Sequence, residues 1–145
     1  MKTTKLFIIA LVSFLVLPAC AERDRIITVN ELPIKAQAFL KHFTEKKTSF
    51  VKIEREGMRK EFDVVFTDGS SIEFNSNGEW TDVTCRQSTV PAEIVPAQIQ
   101  NFVLKNHPSS TILQIEQFRY GYEVHLSNGL EVKFNKNFEV KEIES

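Results

Sequence analysis

The chain has 145 residues, 18 of them basic and 19 acidic, with 42% hydrophobic side chains and 12 phenylalanines but only two cysteines. That charge balance excludes the basic face a nucleic-acid partner needs, and two cysteines exclude a disulfide-stapled scaffold. The apolar content suffices for one domain or a pair of small fused units.

The first segment reads as a secretory signal. Lys2 and Lys5 precede an apolar run from Leu6 to Leu17 broken only by Ser13, and Pro18 leads into Ala19-Cys20-Ala21. Charge, short apolar run and small residues in that order are the layout of an export signal, and the run is shorter than the about 20 residues that span a bilayer. Two processing outcomes fit. Cleavage after Ala21 removes 1–21 and leaves Glu22 first. Alternatively Leu17-Pro18-Ala19-Cys20 acts as a lipobox, 1–19 is removed, and an acylated Cys20 gives the only membrane contact. Lys2 and Lys5 leave with the signal, so the 18 basic residues become 16 against 19 acidic ones, a net charge near −3. Cys85 then lacks an intrachain partner and reads as an apolar packing residue or a thiol that pairs between chains.

An internal repeat organises the remainder. Glu31-Leu32-Pro33 with Ala36, Phe39 and Leu40 returns as Ile94-Val95-Pro96 with Ile99, Phe102 and Val103. Ser49-Phe50-Val51-Lys52-Ile53-Glu54 returns as Thr111-Ile112-Leu113-Gln114-Ile115-Glu116, and Ile72-Glu73-Phe74-Asn75 as Val132-Lys133-Phe134-Asn135. Order, turn residues and apolar parity persist together, which marks a duplication.

Each copy opens with a helix. Pro33 and Pro96 suit a first helical position, and Ala36, Phe39, Leu40 and Phe43 follow the spacing of an amphipathic stripe. The second helix should stop before Pro108. Strands follow: Phe62, Val64 and Phe66 alternate with Glu61, Asp63 and Thr67, the period of a half-buried strand. Asp68-Gly69, Asn77-Gly78 and Asn128-Gly129 predict tight hairpin turns, whereas Asn137-Phe138 lacks the glycine and predicts a looser one. Strands are expected at 48–55, 60–67, 71–75 and 79–84, then 111–117, 120–127, 130–135 and 138–144.

The expected fold class is therefore α+β: a tandem duplication of a helix followed by a four-stranded antiparallel β-meander, helices packed on one face of the sheet or sheets. The first repeat takes 26–84, a linker 85–93 and the second repeat 94–145.

Chemical signatures are sparse. His42, His107 and His125 have no second ligand at helical or hairpin spacing, so no metal site is expected. No nucleophile elbow and no phosphate loop occurs. Glu61 and Asp63, with Glu73, Glu123, Glu131 and Lys133, read as a solubilising wet face. Trp80, Phe118 and Tyr120 lie near strand ends, where large aromatics pack at a rim or anchor a partner.

The pattern Leu32-Pro33-x-x-Ala36-x-x-Phe39-Leu40, with Asp68-Gly69-x-x-Ile72-Glu73-Phe74-Asn75 and Gly78-Glu79-Trp80, resembles the PepSY-like family of exported bacterial proteins, also described as beta-lactamase-inhibitor-like. The likeness runs from about Ile26 to Ile143. It implies a tandem α+β fold, a place in the periplasm or envelope of a Gram-negative bacterium, and no catalytic residues. The functional expectation is a non-enzymatic envelope binding module without a cofactor, holding an unknown protein or peptide through Trp80, Phe118 and Tyr120 or through the wet face. The alternative is an inhibitor of a secreted or periplasmic hydrolase; an enzyme is the least supported, since no constellation meets the geometric requirements of a site.

Overall fold

The computed structural model describes residues 24–145, so the expected signal at 1–21 and the expected alternative anchor at Cys20 lie outside the described residues. Nine antiparallel strands form one sheet in sequence order. They are β1 (Arg25–Ile27), β2 (Thr48–Glu56), β3 (Arg59–Phe66), β4 (Ser71–Phe74), β5 (Trp80–Thr84), β6 (Ile112–Phe118), β7 (Gly121–Leu126), β8 (Glu131–Asn135) and β9 (Val140–Glu144). Helical segments α1 (Ile34–Phe39) and α2 (Ala97–Asn106) lie in the connections before β2 and β6.

This topology corrects the expected fold class. Among the described residues the architecture is mostly β, a continuous nine-stranded sheet with one regular helix, α2, of 10 residues. It is not a tandem pair of helix-plus-four-strand units. Segment α1 has only six residues and tightens into a 3-10 turn at Leu40–Phe43. So short a helix takes its shape from packing rather than propensity, and here the tight turn lays the Phe43 ring against Phe66, centroids 5.9 Å apart. β5 pairs with β6 through Asp82↔Glu116, Val83↔Ile115 and Thr84↔Gln114, so hydrogen bonding runs unbroken across the middle of the chain. β1 adds a further strand on β2; three residues are too few for alternation to announce.

One sheet face is dry. Phe62, Val64 and Phe66 of β3, Ile72 and Phe74 of β4, Val83, Ile115, Val124 and Val132 are all buried, as are Ala36, Phe43, Ile99 and Val103 of the helical cover. Phe39 meets Phe74 edge-on at 5.7 Å, and Phe102 meets Phe134 the same way at 5.3 Å. Each such side chain contributes roughly 1.5–3 kcal/mol of burial. Period-2 alternation then sends the intervening side chains to the opposite face.

The turn at Asn137-Phe138 also departs from expectation. Phe138 donates its N–H to Asn135 O at 2.9 Å, as Gly78 does to Asn75 O at 2.9 Å. Phe138 adopts the left-handed conformation, φ 61°, that glycine supplies in the first turn. Its ring stacks on Tyr122 with centroids 5.5 Å apart, a contact that offsets the cost of positive φ. The turn is therefore as tight as its counterpart.

Candidate functional site

Register builds the site on the uncovered face. Lys52, Asp63, Glu73, Asp82, Glu116, Glu123, Lys133 and Glu142 stand opposite one another in turn from β2 to β9. Directly opposed residues hold their Cβ atoms about 4.5–5.5 Å apart. Five consecutive carboxylates thus fill the middle of the row, flanked by Lys52 on one side and Lys133 on the other.

Both lysines are already engaged. Lys52 bonds Glu54 and lies 3.4 Å from Asp24. Lys133 reaches Glu131 at 3.3 Å, Glu142 at 3.0 Å and Glu144 at 2.9 Å. The hydrogen bonds it donates to Glu144 and Glu142 hold its ammonium above the usual lysine range. Its charge is spent toward the β9 edge rather than on the central acids.

The central acids hold their protons more tightly than free carboxylates do. Burial beside the sheet, then the charge of Glu54, raises Asp63 to about 6. Glu73 rises to about 7, first through desolvation and then through Asp63, Asp82, Glu61 and Glu116, although the residue keeps an exposed surface. Asp82 is 8% exposed; desolvation pushes it up, against hydrogen bonds from Gln114 and Thr84. Gln114 also donates to Glu116 Oε1 at 2.9 Å, tying the two acids together. Glu116 and Glu123 are raised as well, each by desolvation first and then by neighbouring carboxylates.

At the β6–β7 end, Glu116, Glu123 and His125 each offer a ligand atom, and the three atoms lie within 4.8 Å of one another. His125 Nε2 is 3.1 Å from Glu123 Oε1, and its Nδ1 is 3.8 Å from Glu131 Oε2. Such a set can hold a cation with oxygen ligands, with the imidazole as one further donor. Spacing along the chain hides this group, because Glu116 and Glu123 meet only through the β6–β7 register.

The aromatic candidates are not brought together. Trp80 pairs with Phe74 on the dry side and stacks on Phe39 at 6.0 Å. Phe118 and Tyr120 sit at the β6–β7 tip, 48% and 75% exposed, with the Arg119 guanidinium 5.7 Å from the Tyr120 ring centre. Cys85 is a free, buried thiol. His42 lies 3.5 Å from Glu93, and His107 caps α2.

The model of the family described as "Putative beta-lactamase-inhibitor-like, PepSY-like" matches residues 60–142. The chain belongs to this PepSY-like family. A solved DUF2874-family protein from Bacteroides vulgatus, described as periplasmic, is 43% identical with a TM-score of 0.83, covering 86% of this chain and 99% of its own. A Bacteroides thetaiotaomicron structure, described as a "putative calcium-regulated periplasmic protein", is 38% identical with a TM-score of 0.83, covering 84% and 97%. A second Bacteroides vulgatus structure, described as a periplasmic protein of unknown function, is 34% identical with a TM-score of 0.79, covering 84% and 99%. None of the curated proteins matches the chain. Like these relatives the chain is an exported, periplasmic protein, and among the described residues no helix is long and apolar enough to cross a membrane.

Proposed function

We propose that this PepSY-like protein is a non-enzymatic binding module of the periplasm that takes a cation, calcium first, on its uncovered sheet face. The observation that carries the reading is the unbroken row Asp63, Glu73, Asp82, Glu116 and Glu123, with no basic side chain interposed. Calcium takes six to eight oxygen ligands in flexible geometry, and carboxylates on adjacent strands can supply several of them without moving the backbone. The calcium-regulated description of the Bacteroides thetaiotaomicron relative supports the choice of ion. Bound calcium would offset the like-charge repulsion among these acids.

Thermal unfolding of the processed protein with and without millimolar calcium tests this. The expected result is a rise in midpoint, since a ligand that binds only the folded state stabilises it, and loss of that rise in Glu116→Gln/Glu123→Gln. An unchanged midpoint, or an equal rise in the variant, overturns it. A second reading, inhibition of a secreted or periplasmic hydrolase, has the family description behind it. Fold likeness does not deliver a target, and stoichiometric addition to a panel of periplasmic hydrolases is its test.

A further inference from the structure

The end of the sheet that carries the β2–β3, β6–β7 and β8–β9 hairpin tips has a composition unlike the acidic face. Met58 is fully exposed, Tyr120 is 75% exposed and Phe118 is 48% exposed. Arg59 belongs to the first tip, Arg119 to the second, and Lys136 to the third, with Lys141 just beyond it on β9. Arg119, Lys136 and Lys141 meet no carboxylate within 4.0 Å among the described residues. Two acids near these tips are occupied within the fold. Glu79 receives Lys35 Nζ at 3.1 Å, and Glu139 receives Asn135 Nδ2 at 2.7 Å.

The chain enters the sheet at this same end. Arg25 faces Ile53, and β2 runs on from there to the β2–β3 tip. Cys20 lies four residues before Asp24, within about 14 Å of it even when the chain is fully extended. The first described residues, Asp24 and Arg25, therefore lie toward the basic, aromatic end.

We propose that this hairpin-tip end docks on an anionic phospholipid surface. Exposed tyrosine, phenylalanine and methionine partition into the headgroup boundary, and adjacent lysine and arginine add electrostatic attraction to anionic lipid. The acidic row would be repelled from such a surface if the sheet lay flat, so the protein stands on its tips and keeps the uncovered face open to solvent. An acyl chain on Cys20 would insert from the same side, but the docking does not require it. This inference concerns a different surface from the cation site and does not rest on it.

The test uses the chain from residue 20 carrying Cys20→Ala and expressed without the preceding segment, so that it bears no acyl chain, mixed with phosphatidylethanolamine–phosphatidylglycerol vesicles or with pure phosphatidylcholine vesicles. Expected results are co-sedimentation with the anionic vesicles alone, weakening with salt, and protection from hydrogen exchange at residues 57–60 and 118–121. Met58→Ser/Tyr120→Ser and Arg59→Gln/Arg119→Gln should each bind about tenfold more weakly. These side chains are exposed, so unchanged circular dichroism and an unchanged calcium response are expected alongside. Absence of vesicle binding overturns the proposal, as does binding that both variants retain. Protection on the acidic face instead of the tips, or capture of an acidic protein by the tips without vesicle binding, also overturns it. A protein that docks on vesicles but ignores calcium leaves this inference standing and removes the cation reading.

Discussion

Asp63 on β3 and Glu73 on β4 stand directly opposite each other, and Asp82 on β5 continues the line. Like charges opposed across an antiparallel pair repel, and after desolvation the Asp63 charge is what raises Glu73.

Stability should therefore fall as the solution becomes more basic. Asp63 moves from 3.8 to about 6 and Glu73 from 4.5 to about 7 on folding. Between those limits the folded chain binds more protons than the unfolded one, so the slope of unfolding free energy with pH is negative. The contribution is fully present below about pH 4 and lost as pH rises through 6 and 7. The melting midpoint should drop by several degrees from about pH 5 to about pH 8. Asp63→Asn/Glu73→Gln should flatten that drop and melt higher than the parent at the basic end. A midpoint that climbs over this interval contradicts the argument.

The acid limb has the opposite sign. Lys46 Nζ bonds Asp68, Ser70 Oγ at 3.2 Å and Ser88 Oγ at 2.9 Å, and Ser70 N–H donates to Asp68 Oδ1 at 2.9 Å. The Lys46 hydrogen bond, followed by that backbone N–H, holds Asp68 at about 2. A depressed carboxylate stabilises the fold above its unfolded value and loses that effect as pH falls from about 4 to 2. Asp68→Asn should cost about 1–2 kcal/mol near neutral pH and show a shallower acid limb. Urea unfolding on both sides of that interval measures it.

Much of the dry face is legible in the sequence. The alternation Phe62, Val64, Phe66 and the turns Asp68-Gly69 and Asn128-Gly129 are local signals, readable within a few residues. The acidic row is not local. Asp82 and Glu116 become neighbours only when β5 pairs with β6, a hydrogen-bonding register that no periodicity encodes. Read singly, these acids are ordinary wet-face charges; in register they are a site. Helical extent misleads for a related reason. Ala36, Phe39, Leu40 and Phe43 keep the helical stripe, yet packing of Phe43 on Phe66 tightens the last turn. Trp80 keeps strand-end character in the sequence while its ring lies under α1 against Phe39.

Cys85 should be chemically silent in the folded protein. It is 2% exposed, its N–H donates to Leu113 O at 2.7 Å, and burial pushes the thiol above its usual range. The thiolate is the reactive form, so a chromogenic disulfide reagent should titrate no thiol in the native Cys20→Ala protein and one after unfolding. Rapid labelling of the native protein would place Cys85 at the surface. Cys85→Ala should cost less than Cys85→Asp, which buries an unpaired charge.

The turn between β4 and β5 should tolerate substitution far less than the turn between β7 and β8. Gly78 has φ 77°, and a Cβ there would lie 2.6 Å from Pro33 Cβ and 3.1 Å from the Ala36 backbone nitrogen. The start of α1 rests directly on this turn, so neither neighbour can yield without moving the helix. Gly129 has φ 87° but nothing within 4 Å of such a Cβ. Both alanine variants carry the cost of positive φ, about 1–2 kcal/mol; only Gly78→Ala adds the collision. Gly78→Ala should therefore lose at least about 1 kcal/mol more than Gly129→Ala in urea unfolding. Equal losses would mean that α1 is not seated on the turn.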